Sequence, residues 1–320
     1  MAATASLPFL LAACGSDDEE SGGAEPSGPW KFTDDRGITV SLDRRPERLI
    51  LHEYAVAGLW DYGIRPDGVY GSVPMAKQPM YKVPPALDLG GVKSVGDVWG
   101  EINIEALAAL RPDLIVTTWW PSQKLLGGVK DDKVRKKLEA VAPIVGIHAQ
   151  DTATTTIEHF QKLAGTLGGD ASKVADIRKR YDRAVADFKA AAKAKPDVRV
   201  VAAYADPEAL YVGKTSDYSD LKEYAAWGLN LADVKSKDPY WDKLSWENAD
   251  KYPADLILYD ARAHAPKLDK LMEIPLFRRL PAVKAKQLSP WHMEEAVSYR
   301  LFASHIEELT ARLKTARVVA

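Results

Sequence analysis

The sequence predicts an α/β protein of two similar lobes joined by one long helix. Short apolar runs rich in β-branched residues alternate with helical patterns, which is typical of mostly parallel sheets covered by helices. The run Asp-Leu-Ile-Val at residues 113–116 has a counterpart in the second half, Asp-Leu-Ile-Leu at residues 255–258. Between the two copies a helical pattern continues from residue 170 to residue 195. The repeat and the long helix together indicate two lobes and a connector.

The composition is that of a soluble globular chain with room for two domains. Its 320 residues are 28% charged and 46% apolar, which is ordinary for globular proteins. The net charge of −2 gives no reason to expect nucleic acid as a partner, since that would require a basic surface. The single cysteine, Cys14, excludes a disulfide within the chain.

The first 29 residues differ from the rest of the chain. An apolar stretch at residues 7–13 ends at Cys14, and residues 15–29 are rich in Ser, Gly, Asp, Glu and Pro. That second composition predicts a flexible tether. The apolar stretch is too short to span a bilayer, and no Lys or Arg precedes it. We therefore expect that part of a leader segment is missing.

The first predicted lobe covers residues 30–169. It opens with a hairpin whose turn is Asp35-Arg36-Gly37. Strands and helices then alternate, because β-branched runs are followed by stretches with apolar residues three or four positions apart. We expect strands at residues 49–51, 69–72, 114–118 and 144–147, and helices at residues 56–62, 103–110, 131–141 and 155–167.

The connecting helix is predicted at residues 170–195, where Pro196 ends it. The second lobe then covers residues 196–320. Its apolar runs and helical patterns alternate as in the first lobe. We expect strands at residues 199–204, 210–213, 255–259 and 283–288, and helices at residues 218–227, 246–251 and 294–313.

Large aromatic side chains follow several predicted strands, most clearly at Trp119 and Trp120. Ligands of open α/β sheets bind outside the carboxyl ends of the strands, and aromatic rings cover flat organic surfaces at low entropic cost. Of the adjacent Trp119 and Trp120, one can turn into the core. Arg262 either donates a fork of hydrogen bonds to a ligand or only pairs with Asp260. The residues expected to contact a ligand are Tyr54, Trp99, Trp119, Trp120, Tyr218, Tyr240, Trp241, Arg262 and Trp291.

Other classes of function have weaker support. His52, His264 and His292 each follow a predicted strand, so directly bound zinc or manganese stays an alternative, although the sequence has no His-rich acidic loop. A hydrolase with scattered catalytic residues also stays open. The sequence contains no nucleophile elbow, phosphate-binding loop or dinucleotide fingerprint, so we do not expect an enzyme.

The order of these features resembles that of the periplasmic substrate-binding lipoproteins that serve bacterial ABC importers of iron-siderophores, haem and cobalamin. The resemblance covers about residues 30–318 and implies the helical-backbone class, class III. Its fold is two Rossmann-like α/β lobes with mostly parallel sheets, joined by one long rigid α-helix beside a shallow ligand cleft. The matching pieces are Thr-Asp-Asp-Arg-Gly at 33–37, Pro-Glu-Arg-Leu-Ile at 46–50, Asn-Ile-Glu-Ala-Leu at 103–107 and Leu-Ser-Trp-Glu-Asn-Ala-Asp-Lys at 244–251.

For the amino terminus the resemblance implies a lipid anchor. Leu-Ala-Ala-Cys at residues 11–14 resembles a lipobox, which makes residues 1–14 the remnant of a lipoprotein signal and Cys14 the lipidated residue. In such proteins this cysteine carries more than one acyl chain, as stable anchoring requires. The protein is then expected outside the cytoplasm, anchored to the outer face of the cell membrane.

The resemblance also implies partners and a ligand. Glu105 and Glu247 match the positions at which the family carries one exposed acidic residue per lobe for salt bridges with the permease, although an acidic residue there also favours the helix dipole. We expect a monomer that binds a ferric siderophore, without a cofactor or a directly bound metal. Because few arginines are expected in the cleft, a hydroxamate or mixed-ligand siderophore fits it better than a triply anionic tris-catecholate does. Cobalamin stays open, as does haem with Tyr54 or His292 as axial ligand.

Overall fold

The computed structural model describes Met1 and residues 28–320. In this part of the chain, the first half contains a hairpin and a sheet with helices packed on it. Its strands are β1 (Trp30–Thr33), β2 (Thr39–Leu42), β3 (Leu49–His52), β4 (Gly68–Tyr70), β5 (Lys93–Gly96), β6 (Leu114–Trp120), β7 (Leu125–Leu126) and β8 (Ile144–His148). Its helices are α1 (Glu53–Trp60), α2 (Ile104–Ala109), α3 (Asp132–Glu139) and α4 (Ala153–Thr166).

The second half contains the long helix and a second sheet. The strands are β9 (Val200–Ala205), β10 (Ala209–Gly213), β11 (Trp241–Ser245), β12 (Leu256–Asp260) and β13 (Leu288–Trp291). The helices are α5 (Ala175–Ala194), α6 (Ser219–Ala226), α7 (Leu268–Leu271), α8 (Pro281–Lys284) and α9 (Tyr299–Thr315).

The first sheet is parallel in the order β5-β4-β3-β6-β8, and β7 pairs antiparallel with the end of β6. Neighbouring residues of β3 enter different apolar cores, since Leu49 and Leu51 belong to one and Ile50 to the other. A strand covered on both faces is apolar at consecutive positions. This explains the uninterrupted apolar run at residues 114–116.

The second sheet has the order β11-β10-β9-β12-β13. Strands β9, β12 and β13 are parallel, and β10 is antiparallel to both of its neighbours. Val200 faces one apolar core and Val201 the other, so this sheet is also covered on both faces. The predicted α/β fold with two mostly parallel sheets is confirmed.

The long connecting helix is also confirmed, with a later start than predicted. Residues 171–174 form a 3₁₀ turn, and α5 runs for 20 residues from Ala175 to Ala194. Ile177, in its first turn, packs against the apolar cores of both halves. The helix therefore touches the first sheet's core at its start and the second sheet's core along its length.

The last helix, α9, makes a second connection between the two halves. It packs along α5, while Val297 and Leu301 at its start are buried in the core of the first half. Arg300 donates a hydrogen bond of 2.9 Å to Asp61 and one of 2.7 Å to the carbonyl of Val83. The side chains of Arg300 and Asp61 are 1% and 7% exposed, so this ion pair joins the halves where water scarcely reaches.

Two predictions of local structure near the carboxyl end are wrong. The strand predicted at residues 283–288 is misplaced, because residues 281–284 form α8 and the strand is β13, at residues 288–291. The last helix begins at Tyr299 and not at residue 294. Glu294 has a positive φ of 69°, which a helix excludes, and Ser298 caps α9 by accepting a hydrogen bond from the backbone of Leu301.

Candidate functional site

A cavity of about 550 Å³ lies where the carboxyl ends of strands from both sheets meet. Residues that follow β3 and β6 form one side of it, and residues that follow β12 and β13 form the other. This is the position at which open α/β sheets bind their ligands. The lining residues from the first half are His52, Glu53, Tyr54, Ser72, Val98, Trp99, Trp120, Gln123, Leu125, Gly127 and Gly128, and those from the second half are Tyr218, Tyr240, Trp241, Arg262, His264, Met293 and Glu294.

Three aromatic side chains of the first half line the cavity, and they differ in exposure. Tyr54, in the first turn of α1, is 7% exposed. Trp120, at the end of β6, is half-buried, and its indole donates a hydrogen bond of 3.3 Å to the hydroxyl of Thr118. Trp99 is 52% exposed. On this side of the cavity, Tyr54 is therefore held by its neighbours, whereas about half of the surface of Trp99 is exposed to solvent.

The second half supplies a cluster of packed rings. The ring of Tyr218 lies 5.7 Å from that of Tyr240 and 5.4 Å from that of Trp241. These centroid distances are within the range of favourable aromatic contacts. The cluster is consequently a preformed apolar surface, and a ligand that covers it does not have to order the three side chains first.

Two of the nine residues expected to contact a ligand do not line the cavity. Trp119 precedes Trp120 in β6 and therefore points to the other face of the sheet, where it packs against an apolar core. Trp291 is 2% exposed, and its indole donates a hydrogen bond of 2.6 Å to Asp220. Its ring lies 4.8 Å from that of Tyr218, so Trp291 supports the wall from behind.

Arg262 is held between two carboxylates at the base of the second wall. Its guanidinium lies 2.7 Å from Asp260 and 3.5 Å from Glu294. Tyr54, from the other half, donates a hydrogen bond of 3.0 Å to the same carboxylate of Glu294. The pairing of Arg262 with Asp260 that the sequence analysis left open is present, and it coexists with a place in the cavity lining.

Acidic groups outnumber cations in the lining. Of the described residues that line the cavity, Arg262 is the one cation, while Glu53 and Glu294 are both acidic. Burial raises the pKa of Glu294 above its usual value, an effect that Arg262 opposes. Burial likewise raises the pKa of Glu53, although Ser72 and Gln78 donate hydrogen bonds to it. Burial would lower the pKa of Arg262, but the two carboxylates outweigh it and keep the guanidinium charged.

Tyr240 connects the two walls at the rim of the cavity. Its hydroxyl lies 2.8 Å from the hydroxyl of Ser122 and accepts a hydrogen bond of 2.9 Å from the side-chain amide of Gln150. Its backbone has a positive φ of 66° and donates a hydrogen bond to Asp217. A non-glycine residue rarely adopts this conformation, and here contacts with both halves hold it in place.

The histidines do not converge in the cavity as a direct zinc or manganese site would require. His52 and His264 line it, but His292 does not. Burial lowers the pKa of His52 to about 3 and also lowers that of His264. Both rings are therefore neutral at physiological pH, and the lining carries no histidine charge to offset its acids.

A model of the family described as periplasmic binding protein matches residues 66–294 of this chain. The chain belongs to the periplasmic binding protein family. Proteins of this family bind solutes outside the cytoplasm and are not enzymes, which confirms both the family resemblance and the prediction that this chain is not an enzyme.

The chain is similar to three known proteins over most of its length and of theirs. The solved structure of DesE, a ferric-siderophore receptor protein from Streptomyces coelicolor, is 33% identical and superposes with a TM-score of 0.83, covering 91% of this chain and 100% of that one. The Fe(3+)-citrate-binding protein YfmC of Bacillus subtilis (strain 168) is 25% identical over 288 residues, which are 88% of this chain and 84% of that protein. The siderophore-binding protein FhuD from Vibrio cholerae, solved with Fe3+-Desferal, is 22% identical with a TM-score of 0.63, covers 83% of this chain and 98% of its own, and shows the same fold.

In this periplasmic binding protein, the two acidic residues expected to face a permease are exposed, one in each half. Glu105 lies in the first turn of α2, which Asn103 caps by accepting a hydrogen bond from Ala106. Glu247 lies in a 3₁₀ turn that follows β11. Both residues lie in the first turn of their helical segments, where an acidic side chain also stabilises the positive end of the helix dipole.

Two acidic residues of the cavity, Glu53 and Glu294, are not among the contacts expected from sequence. Glu53 directly precedes Tyr54 at the end of β3, and this position after a strand is the same signal that points to Tyr54. Glu294 stands in an irregular loop after β13, and its contact with Tyr54 spans 240 residues of sequence. No local pattern signals a contact of that kind.

The expected lipid anchor falls in a part of the chain that the structure does not describe. Cys14, the expected lipidation site, lies outside the described residues. Within residues 28–320, no helix is both long enough and apolar enough to cross a membrane.

Proposed function

We propose that this protein captures a ferric siderophore of the hydroxamate or mixed-ligand type in the cavity and delivers it to the permease of an ABC importer. The observation that carries the proposal is an aromatic cavity between two α/β halves whose lining has more acidic groups than cations. The aromatic surface indicates a bulky organic ligand, and the charge balance indicates which kinds of iron chelate fit.

The size and the chemistry of the cavity suit such a ligand. Its volume of about 550 Å³ is within the range of small-molecule sites. Trp120, Tyr218, Tyr240 and Trp241 offer rings to an organic shell, and Arg262 offers a guanidinium to oxygen atoms around the iron. A bare ion would use neither feature.

Charge separates the classes of iron chelate. Three monoanionic hydroxamates cancel the charge of ferric iron, whereas three dianionic catecholates leave a trianion. A trianion beside Glu53 and Glu294, with Arg262 already paired, would be buried without matching cations, which is costly. A neutral or cationic complex avoids that cost. The similarity to DesE, named a ferric-siderophore receptor, supports a ferric siderophore as the ligand without separating these classes, while an anionic ferric citrate, as in the name of YfmC, fits the lining less well.

Haem has less support from the geometry. The hydroxyl of Tyr54 is committed to Glu294, and burial raises its pKa well above the usual value, which disfavours the anionic form that would ligate iron. His292, the other candidate axial ligand, does not line the cavity.

Tryptophan fluorescence tests the proposal directly, because Trp99, Trp120 and Trp241 line the cavity. The purified protein is titrated with a ferric tris-hydroxamate, a ferric tris-catecholate, haem and cobalamin, and with each iron-free siderophore as control. We expect saturable quenching at submicromolar concentration by the hydroxamate complex, and much weaker binding of the catecholate complex. Quenching only by the tris-catecholate, by haem or by cobalamin would refute the choice of ligand.

We also propose that Glu105 and Glu247 dock the protein on the permease. The two carboxylates are exposed, do not line the cavity and are placed one per half. Charge reversal of both to Lys should leave siderophore binding unchanged and abolish uptake by cells. The matched control reverses Glu158 and Asp187, which are exposed acids on α4 and α5. Equal loss of uptake in the control would argue against a specific docking role.

Lipidation of Cys14 is the remaining part of the proposal. The support is the sequence Leu-Ala-Ala-Cys at residues 11–14, followed by a polar tether. In cells that export the protein, Cys14→Ser should move it from the membrane fraction to the medium or the periplasm. Retention in the membrane fraction would contradict the assignment.

A further inference from the structure

Four titratable side chains meet beside the cavity wall, on the side that faces α9. They come from the loop after β13, which supplies His292 and Glu295, and from one face of α9, which supplies His305 and Glu308. One ligand atom each from His292, Glu295 and His305 lies within 4.8 Å of the others. None of the four residues lines the cavity, so this cluster is separate from the proposed siderophore site.

The distances within the cluster match those between the ligands of a small divalent cation. Oε2 of Glu295 lies 3.5 Å from Nδ1 of His292 and 3.7 Å from Nε2 of His305. Two atoms that bind the same tetrahedral zinc ion at normal bond lengths are roughly 3.4 Å apart. Both histidine nitrogens therefore lie at about the distance from Glu295 that a shared ion would give them.

The buried members of the cluster have unsatisfied polar atoms that point at each other. Glu295 is 2% exposed and His305 is 6% exposed. Oε2 of Glu295 and Nε2 of His305 are both buried without a hydrogen-bond partner. Buried polar atoms of this kind are uncommon, and a cation between them would satisfy both.

The surroundings also suit a metal site. Nε2 of His292 lies 2.9 Å from the carboxylate of Glu308, which leaves Nδ1 of the same ring facing Glu295. A carboxylate on the far nitrogen is the usual support of a metal-binding histidine. Arg300, which adds positive charge near His305, is itself neutralised by Asp61 at 2.9 Å.

We propose that His292, Glu295 and His305 form a binding site for a zinc-type divalent cation, with Glu308 orienting His292. Two imidazoles and one carboxylate are a common zinc ligand set and leave a fourth position for water. Such an ion would join the loop after β13 to α9. Because Glu294 belongs to that loop and lines the cavity, occupancy would also fix part of the cavity wall.

Binding requires one local rearrangement. The rings of His292 and His305 are stacked, with centroids 4.1 Å apart and planes 8° apart. Nitrogen lone pairs lie in the ring planes, so one ring must turn before both address the same ion. The side chain of His292 is 21% exposed, so this ring has the freedom to turn, and it also gives the ion a path from solvent.

The test is zinc binding by the purified protein without siderophore, measured by equilibrium dialysis and metal analysis. We expect about one Zn²⁺ per chain, and an affinity at least 100-fold lower in Glu295→Gln and in His305→Gln. Glu308→Gln should lower the affinity about 10-fold to 100-fold, as for other supporting carboxylates. Zinc should raise the thermal midpoint of the wild type and not of these ligand variants.

His264→Gln is the matched control, because His264 lines the cavity and lies outside the cluster. It should bind zinc as the wild type does. If His264→Gln loses zinc and His305→Gln keeps it, the ion binds in the cavity and the proposal is wrong. If a ligand variant is unstable, His292→Gln at the exposed edge replaces it. If the wild type binds no zinc, the cluster is only a protonated His292 between two carboxylates, and the proposal is equally refuted.

Discussion

The hydroxyl of Tyr54 donates a hydrogen bond of 3.0 Å to the carboxylate of Glu294, across the cavity and across 240 residues of sequence. The same carboxylate lies 3.5 Å from Arg262. One acidic group therefore links the first half of the chain to the cation of the second half. A ligand that enters the cavity meets these groups together.

A double-mutant cycle with Tyr54→Phe and Glu294→Gln measures this link. A hydrogen bond to a charged acceptor contributes more than a neutral one, so we expect a coupling of about 1–2 kcal/mol in the free energy of unfolding. Denaturant unfolding of the wild type, both single variants and the double variant gives the value. Additive effects would show that the two groups do not interact in solution.

Glu294 should also make stability depend on pH. Burial raises its pKa above the usual 4.5, so the folded protein binds this proton more tightly than the unfolded chain does. The resulting stabilisation is complete below about pH 4.5 and is lost as the pH rises through the raised folded pKa. Relative to Glu294→Gln, the wild type should therefore lose stability between acid and neutral pH. A difference that is constant or grows with pH would contradict the raised pKa.

The tryptophan pair at the end of β6 offers an internal comparison. Trp120→Ala removes a ring from the cavity wall and should weaken siderophore binding about 10-fold to 30-fold, since a central aromatic contact contributes about 2 kcal/mol. Trp119→Ala should leave binding within a few-fold and lower the free energy of unfolding by roughly 2 kcal/mol, because its half-buried ring packs against the core. The reverse outcome would mean that the strand is shifted by one residue.

Arg300 should be essential for the attachment of α9 to the first half. Arg300→Ala leaves Asp61 buried without its partner and should cost about 3–5 kcal/mol. Arg312→Ala, on the exposed side of the same helix, should change stability by less than about 0.5 kcal/mol. Equal effects of the two substitutions on the denaturation midpoint would show that the buried pair contributes nothing specific.

The sequence predicts most of the fold because local patterns determine it. The apolar run at residues 114–116 and the helical pattern of α5 are visible without any tertiary information. The start of β13 is misplaced because residues 281–284 form a short helix. The start of α9 is misplaced because Glu294 adopts a positive φ, and nothing in its side chain signals that conformation. The buried role of Arg300 is also missed, since a charged residue in an amphipathic helix normally faces solvent.

The candidate site is predicted in outline for a similar reason. The parallel sheets bring together residues that follow strands. For this reason the sequence points to Tyr54, Trp120 and Arg262, which line the cavity. Which of two adjacent tryptophans faces the cavity depends on strand register, and sequence alone leaves that open. The acidic character of the lining depends on Glu294, which approaches Tyr54 only in the folded chain.

Anomalous diffraction at the iron edge, from crystals grown with a ferric tris-hydroxamate, tests the central claim most directly. We expect a single strong iron peak inside the cavity, between Trp120 of the first half and Trp241 and Arg262 of the second. An iron peak elsewhere on the protein, or a cavity that holds no iron when the complex is saturating in solution, would contradict the account.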